Sequence, residues 1–407
     1  MPGPMAGVKV VDLTSMLSGP WATTIMADQG ADVIKVEPPA KGDHVRSLGN
    51  QRGGMSSMFL NINRNKRSIT VNLKAPDGVG IVHDLVRNAD VMIQNFRPGV
   101  VERLGVGYDA ICKINPDIIY MSLSGFGETG PWKDKPVYDP VIQAVSGLTT
   151  VQAGSDAERP RLVRTVLPDK FSAMAACQAM TAALFHKART GQGQHVRLSM
   201  LDAVLSFLWA SDFGAQTYPD GAVSNQTAAS FIDLIYETAD GYMTVSTMSD
   251  KEWRGFCAAM KRSELAEDPR FATPVLRDRN VDERLRVIQD CLKAQTTAEN
   301  LAVLEAHGVP CAPALTRAEV VSHPQVVNNE ILFETDHPAA GRLRQARNAA
   351  CFAASPAEHR MGAPELGEHT TEILEELGRS AAEIASLQDA GVIGAERDKR
   401  RQPAAAD

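Results

Sequence analysis

No apolar run in this chain reaches the roughly 18 residues that a membrane-spanning helix needs, and Met1–Gly7 has neither the basic nor the apolar region of a signal peptide. A cytoplasmic protein with no membrane partner is therefore expected. A basic excess is missing too. The formal net charge is −7, whereas nucleic-acid binders normally carry surplus Lys and Arg. No nucleic-acid partner is expected, although a local cationic pocket for a phosphorylated ligand stays open. The six cysteines, Cys112, Cys177, Cys257, Cys291, Cys311 and Cys351, form no CxxC pair. That argues against a zinc cage or a disulfide framework, and buried reduced thiols are expected. The nine histidines do not cluster: neither His186 nor His195 has a carboxylate or cysteine at ligand spacing, so no metal is expected. No GxSxG elbow supports serine-hydrolase chemistry.

What is present is ordinary for a globular protein of two or three domains: 407 residues, 44% hydrophobic and 22% charged. The first third alternates short β-rich runs with helical stretches. Strands are predicted at Val8–Leu13, Ala31–Glu37, Ser68–Leu73, Asp90–Phe96 and Asp117–Leu123, with helices from Gly19-Pro20 to Gly30, Pro76 to Asn88 and Tyr108 to Ile114. This alternation predicts βαβ units and an α/β fold built on a doubly wound parallel sheet. Ligands of such sheets sit beyond the carboxyl ends of the strands. The stretches there are Thr14–Gly19, Glu37–Lys41, Asn95–Gly99 and Ser124–Gly130. Gly125–Gly130 fits GxGxxG, but Pro131 and Pro136 follow where a dinucleotide fingerprint needs a helix. It reads as a glycine turn.

Pro168-Asp169 is predicted to precede a helix from Phe171 to about Arg189, rich in alanine and stopped by Gly191. From about Phe231 two strands around Ala239-Asp240-Gly241, then helices to about Gly308, suggest a smaller α+β domain. Leu366–Leu377 and Ala381–Ala390 are again helical. The expected division is 1–225 for the first part of a large domain, 226–330 for the small one, 331–395 for a return to the large domain, and 396–407 for a frayed tail.

Six segments, VVDLTSMLSGPWATTIMADQGADVIKVEPP, NRNKRSITVNL, ADVMIQNFRPGVVERLG, SLSGFGETGPW, YDPVIQAVSGL and GEHTTEILEELG, resemble the class III CoA-transferase family from about Val8 to Leu377. That family includes formyl-CoA, carnitine and dicarboxylate CoA-transferases, with α-methylacyl-CoA racemases as a branch. The resemblance implies an interlocked homodimer and a covalent nucleophile at Asp169, a residue whose position also suits a helix N-cap. A carboxylate with a pKa of about 3.9 is ionised at neutral pH and needs no general base. A coenzyme A thioester is then a substrate, and no cofactor is bound permanently. By position, the resemblance implies coenzyme A contacts at Leu17, Ser18, Val71, Asn72, Leu73, Lys74, Asn95, Phe96, Arg97 and Arg103, with Lys135 and Tyr138 near the thioester.

Two departures narrow the reading. Formyl-CoA transferases have glutamine where this chain has Leu17, and their glycine-rich small-domain loop has no counterpart here, which argues against oxalate and formate as substrates. Racemases have histidine where Tyr138 stands, and a phenol with a pKa of about 10 is a poor neutral base. A CoA-transferase acting on an acyl-CoA and a carboxylic acid is favoured over a racemase or a non-catalytic nucleotide-binding homologue. Arg46, Arg52 and Arg164 are candidates to pair a second carboxylate, which points to a dicarboxylic acid.

Overall fold

In a computed structural model of the chain, residues 3–221 and 234–394 are described. The tail expected at 396–407 and the domain boundary expected at 226 lie outside them, as does Phe231.

Six strands form one parallel sheet: β1 (Lys9–Asp12), β2 (Asp32–Glu37), β3 (Lys66–Thr70), β4 (Val91–Gln94), β5 (Ile119–Ser124) and β6 (Gln194–Ser199), in the order β3-β2-β1-β4-β5-β6. Their side chains alternate between two apolar layers, as the two-residue period of a strand dictates. Val11, Ile69, Met92 and Tyr120 join Ile81 and Val82 of α2 (Pro76–Val86), Ile111 of α3 (Tyr108–Ile114) and the late residues Ile373 and Leu374 in one layer. Val10, Val33, Val91, Ile93, Ile119 and Met121 join helices α1 (Ser18–Asp28) and α5 (Leu167–Thr190) in the other. Burial on both faces explains why β1, β4 and β5 read as apolar runs, whereas β6, at the sheet edge and largely exposed or half-buried, gives no such run and is not among the predicted strands.

Helix α5 has 24 residues and ends at Gly191, whose φ of 75° is left-handed and whose N–H donates to Lys187 O at 2.8 Å. Ala173, Ala176 and Ala183 are buried with Ala22, Met26 and Ala27 of α1; small side chains let these two helices approach closely. The helix begins earlier than the sequence suggests. Pro168 sits inside its first turn, where a missing N–H costs nothing, so Asp169 is the third helical residue and caps nothing. Three strands are shifted as well: β3 runs from Lys66 to Thr70, β4 stops at Gln94 and β5 at Ser124. Val71–Leu73 and Asn95-Phe96 consequently lie beyond the sheet, in its carboxyl-end loops.

By contact the chain divides into two compact units. One draws on residues up to Thr149, Arg161–Ala210 and Glu330 onward, and holds the parallel sheet. The other comprises Thr150–Pro160 and Ser211–Asn329. It contains a three-stranded antiparallel sheet of Ile235–Glu237, Tyr242–Val245 and Cys311–Pro313, with a core of Trp253, Phe256, Phe271, Leu292 and Leu304. All six cysteines are free. Only Cys177 and Cys257 are buried, and Cys351 is exposed, contrary to the expectation of buried thiols throughout. No described helix is long and apolar enough to cross a membrane.

Candidate active site

Strand order reverses between β1 and β4, where an open α/β sheet forms its ligand crevice. The loops leaving these two strands are joined there. Ser15 N donates to Asn95 Oδ1 at 3.0 Å, and Asn95 Nδ2 donates to Ser15 O at 2.8 Å.

The loop from β1 into α1 rests on a buried ionic frame. Asp12, fully buried, accepts from Thr14 N (2.8 Å), Thr23 Oγ1 (2.6 Å) and Lys66 Nζ (3.1 Å). Burial opposes its charge, yet Lys66 and Lys35 hold its pKa down to about 2. Lys35 Nζ donates to Thr14 O at 2.8 Å and lies 2.9 Å from Asp43 Oδ2, while Asp43 Oδ1 accepts from Met16 N at 3.0 Å. Met16 takes a left-handed φ of 69°. At Gly19 a Cβ would come within 2.3 Å of the Thr14 side chain, so only glycine fits where α1 folds back on the loop.

This frame presents Ser18 to Asp169. Ser18 is 4% exposed, and its Oγ donates to Asp169 Oδ1 at 2.5 Å. On the other side, the backbone N–H of Asp169 donates to Asp139 Oδ2 at 3.2 Å. Asp139 opens helix α4 (Asp139–Val145) and accepts from Gln143 Nε2 at 2.6 Å through Oδ1. Gln143 also accepts from Val163 N at 2.9 Å and faces Val163 O and Thr165 O, which ties down the chain entering α5. Burial pushes the Asp169 carboxyl above its ordinary value; the Ser18 hydrogen bond opposes the rise and Asp139 adds to it. Burial raises Asp139 likewise, against its hydrogen bonds from Gln143 and Asp169. Nothing in the sequence analysis assigned Asp139 or Gln143 a supporting role. The available signal was their i, i+4 spacing behind Tyr138 in YDPVIQ.

The other expected residues fall into two groups. Leu17 is buried with Val45, Phe59 and Ile62, Val71 is buried in the sheet layer, and Leu73 packs against that layer, so their side chains are core. Asn72 accepts from Lys74 N at 3.1 Å through Oδ1, leaving Lys74 exposed. Phe96 N donates to Gln94 Oε1 at 2.8 Å. Arg97 is exposed on the loop after β4 and Arg103 is exposed at the end of the short helix Val100–Arg103 that follows, its guanidinium over Gly99. Lys135 Nζ stands 3.6 Å above the Trp132 ring, and Tyr138 is 68% exposed at the start of α4.

Two of the three arginines expected to pair a second carboxylate are already engaged. Arg46 makes a bidentate pair with Glu37 at 2.7 Å for both bonds, donates to Pro364 O and stacks on Phe59. Arg52 donates to Ala340 O and Arg342 O. Arg164 is exposed, in the segment that Gln143 holds. Among the described residues, no group of three His, Cys, Asp or Glu side chains is placed to hold a metal ion.

Comparison with known proteins identifies the family. The chain is 33% identical to the human succinyl-CoA:glutarate CoA-transferase over 96% of its own length and 90% of the relative's. It is 34% identical to the acetyl-CoA:oxalate CoA-transferase of Acetobacter aceti, covering 93% and 97%. The crystal structure of a CaiB/BaiF family protein from Brucella suis superposes with a TM-score of 0.80 at 31% identity, covering 93% of this chain and all of that one. The sequence model of CoA-transferase family III matches residues 5–370. The chain is an enzyme of CoA-transferase family III.

Proposed function

We propose that this enzyme moves coenzyme A from an acyl-CoA donor to a carboxylic acid acceptor through covalent intermediates on Asp169. The observation that carries the reading is the placement of one carboxylate, partly buried, at the strand-order reversal, with a hydroxyl on one oxygen and a fixed backbone behind it. An Asp169 oxygen attacks the thioester carbonyl, the C–S bond breaks, and a mixed anhydride and coenzyme A thiolate result. The thiolate attacks the aspartyl carbonyl carbon, the donor acid leaves as carboxylate, and an aspartyl-CoA thioester remains. The acceptor carboxylate attacks that carbon and expels thiolate. The thiolate then attacks the new acyl carbon, which releases Asp169 and the product thioester. No net proton or electron is needed. Every intermediate is hydrolysable, so water must be excluded, and a thiolate that stays bound provides proximity.

Lys74, Arg97 and Arg103 are exposed cations at the carboxyl edge that suit the phosphates of coenzyme A, and Lys135 and Tyr138 flank the thioester. Val71 and Leu73 contribute backbone only. The relatives named for glutarate support a dicarboxylic acceptor, with Arg164 as the candidate for its second carboxylate. The reading includes a doubly wound large domain, a small domain between its two parts, a homodimer and a cytoplasmic location. A racemase would need a base near neutral pKa where Tyr138 stands.

The test is a panel of acyl-CoAs against carboxylic acids, read by mass spectrometry, with wild type and Asp169→Asn. Transfer by wild type, and loss of transfer in the variant to below about a tenth, is expected, since a lost nucleophile costs orders of magnitude. Rapid α-deuterium exchange of a 2-methylacyl-CoA without any acceptor acid would favour the racemase instead.

A further inference from the structure

Ser18 stands in the sequence reading only as a contact for coenzyme A, yet its hydroxyl touches the nucleophile. We infer that Ser18 is a catalytic residue, donating a hydrogen bond to the oxygen that becomes the aspartyl carbonyl and stabilising the negative charge that forms there when Asp169 Cγ is attacked. The inference rests on the covalent reading of Asp169.

Three observations carry it. The Ser18 Oγ donates to Asp169 Oδ1 at 2.5 Å, within the range of a charge-assisted hydroxyl–carboxylate hydrogen bond. No described group donates to Oδ2, so that oxygen is the one with a lone pair free to attack. The hydroxyl is also held in place before any reaction. Ser18 is 4% exposed at the start of α1, and the loop before it is fastened by Asp43, Asp12 and Asn95. Electrostatic stabilisation is most effective when the donor needs no reorganisation.

The consequence is specific to two of the four steps. Once Oδ2 has joined the acyl group, the remaining carbonyl oxygen on Cγ is Oδ1, which Ser18 already faces. When thiolate adds to Cγ, the C=O electron pair moves onto Oδ1. It returns as the C–O bond to the donor carboxylate breaks. When the acceptor carboxylate adds to Cγ of the aspartyl-CoA, the same oxygen takes the charge again, and the C–S bond breaks. The attacks on the substrates' own carbonyls place charge elsewhere.

The experiment mixes the enzyme with saturating succinyl-CoA and no acceptor, quenches it rapidly and follows the aspartyl-CoA adduct by intact mass. Ser18→Ala is expected to form the adduct about 100-fold more slowly, the usual cost of one oxyanion donor, with the KM for succinyl-CoA within threefold of wild type. Ser18→Cys, nearly the same shape with a weaker donor, is expected to fall between them, and it decides the question if the alanine variant does not fold. A loss smaller than tenfold, or a loss accompanied by a larger rise in KM, overturns the inference, because Ser18 would then be a binding contact. A wild-type enzyme that turns over without any adduct removes the covalent reading itself, and that result is visible before any Ser18 variant is compared.

Discussion

The backbone N–H of Asp169 donates to Oδ2 of Asp139, 30 residues earlier, at 3.2 Å, and the other oxygen of Asp139 is occupied by Gln143. A carboxylate is the one side chain of that size that can accept from both donors at once. Asp139→Asn therefore keeps at most one of these hydrogen bonds, since an amide has a single acceptor oxygen, and Asp139→Ala keeps neither. Both are expected to lower kcat by about 100-fold, the typical cost of misplacing a reacting group, with little change in the KM for acyl-CoA. Steady-state kinetics on both variants decides this; an Asn variant with wild-type kcat would show that the second hydrogen bond is idle.

Burial raises the Asp169 carboxyl above its ordinary value of 3.8, so its ionisation costs folding free energy. For a raised pKa, the stability contribution is complete below the unfolded value and is lost as pH rises through the folded one. Asp169→Asn removes that loss while its amide oxygen still accepts from Ser18. The variant is expected to unfold at or above the wild-type temperature at pH 7, with the difference closing near pH 3. The same raised pKa should place the acid limb of the wild-type kcat/KM profile above the ordinary carboxylate range, because the nucleophile must be ionised. Thermal unfolding and pH-rate measurements check the two halves separately.

Asp12 has the opposite sign. Its pKa, held at about 2 by Lys66 and Lys35 against the effect of burial, adds stability above the ordinary value that is lost as pH falls through about 2. Asp12→Asn leaves the buried Lys66 ammonium without its anion. The expected cost is about 3–5 kcal/mol at neutral pH, as for other broken buried pairs, and should shrink on acidification. Denaturant titrations at pH 7 and pH 3 measure it.

Arg97 is exposed on the loop after β4, and Arg103 at the end of the short helix after that loop. Arg97→Glu and Arg103→Glu are each expected to raise the KM for acyl-CoA roughly tenfold, the value of a charge-assisted hydrogen bond, without altering the KM for the acceptor acid. The effect should shrink with a pantetheine thioester lacking the nucleotide. An unchanged KM in both variants would place the nucleotide elsewhere.

Much of the fold was legible because most of the large unit's strands are buried on both faces and read as apolar runs between glycine and proline stops; β6, a half-exposed edge strand, was not legible. Element ends were less so. Pro168 looked like a barrier before α5, but a proline fits the first turn, and Asp169 moved inside the helix as a result. Asp169 and Ser18 were both singled out, yet their contact spans 151 residues and no local pattern encodes it. Gln143 was invisible as a clamp because its partners are backbone groups 20 and 22 residues away. Arg46 and Arg52 misled for a related reason: a sequence shows a cation but not the Glu37 carboxylate or the carbonyls that already occupy it.

The nucleophile itself is tested most directly by incubating the enzyme with an acyl-CoA alone, adding hydroxylamine, and mapping the modified peptide by mass spectrometry. The expected result is an untrapped mass increase corresponding to coenzyme A less water, and after hydroxylamine a hydroxamate on Asp169 and on no other carboxylate. A modified residue other than Asp169, or full transfer activity in Asp169→Ala, would contradict the covalent role of this aspartate.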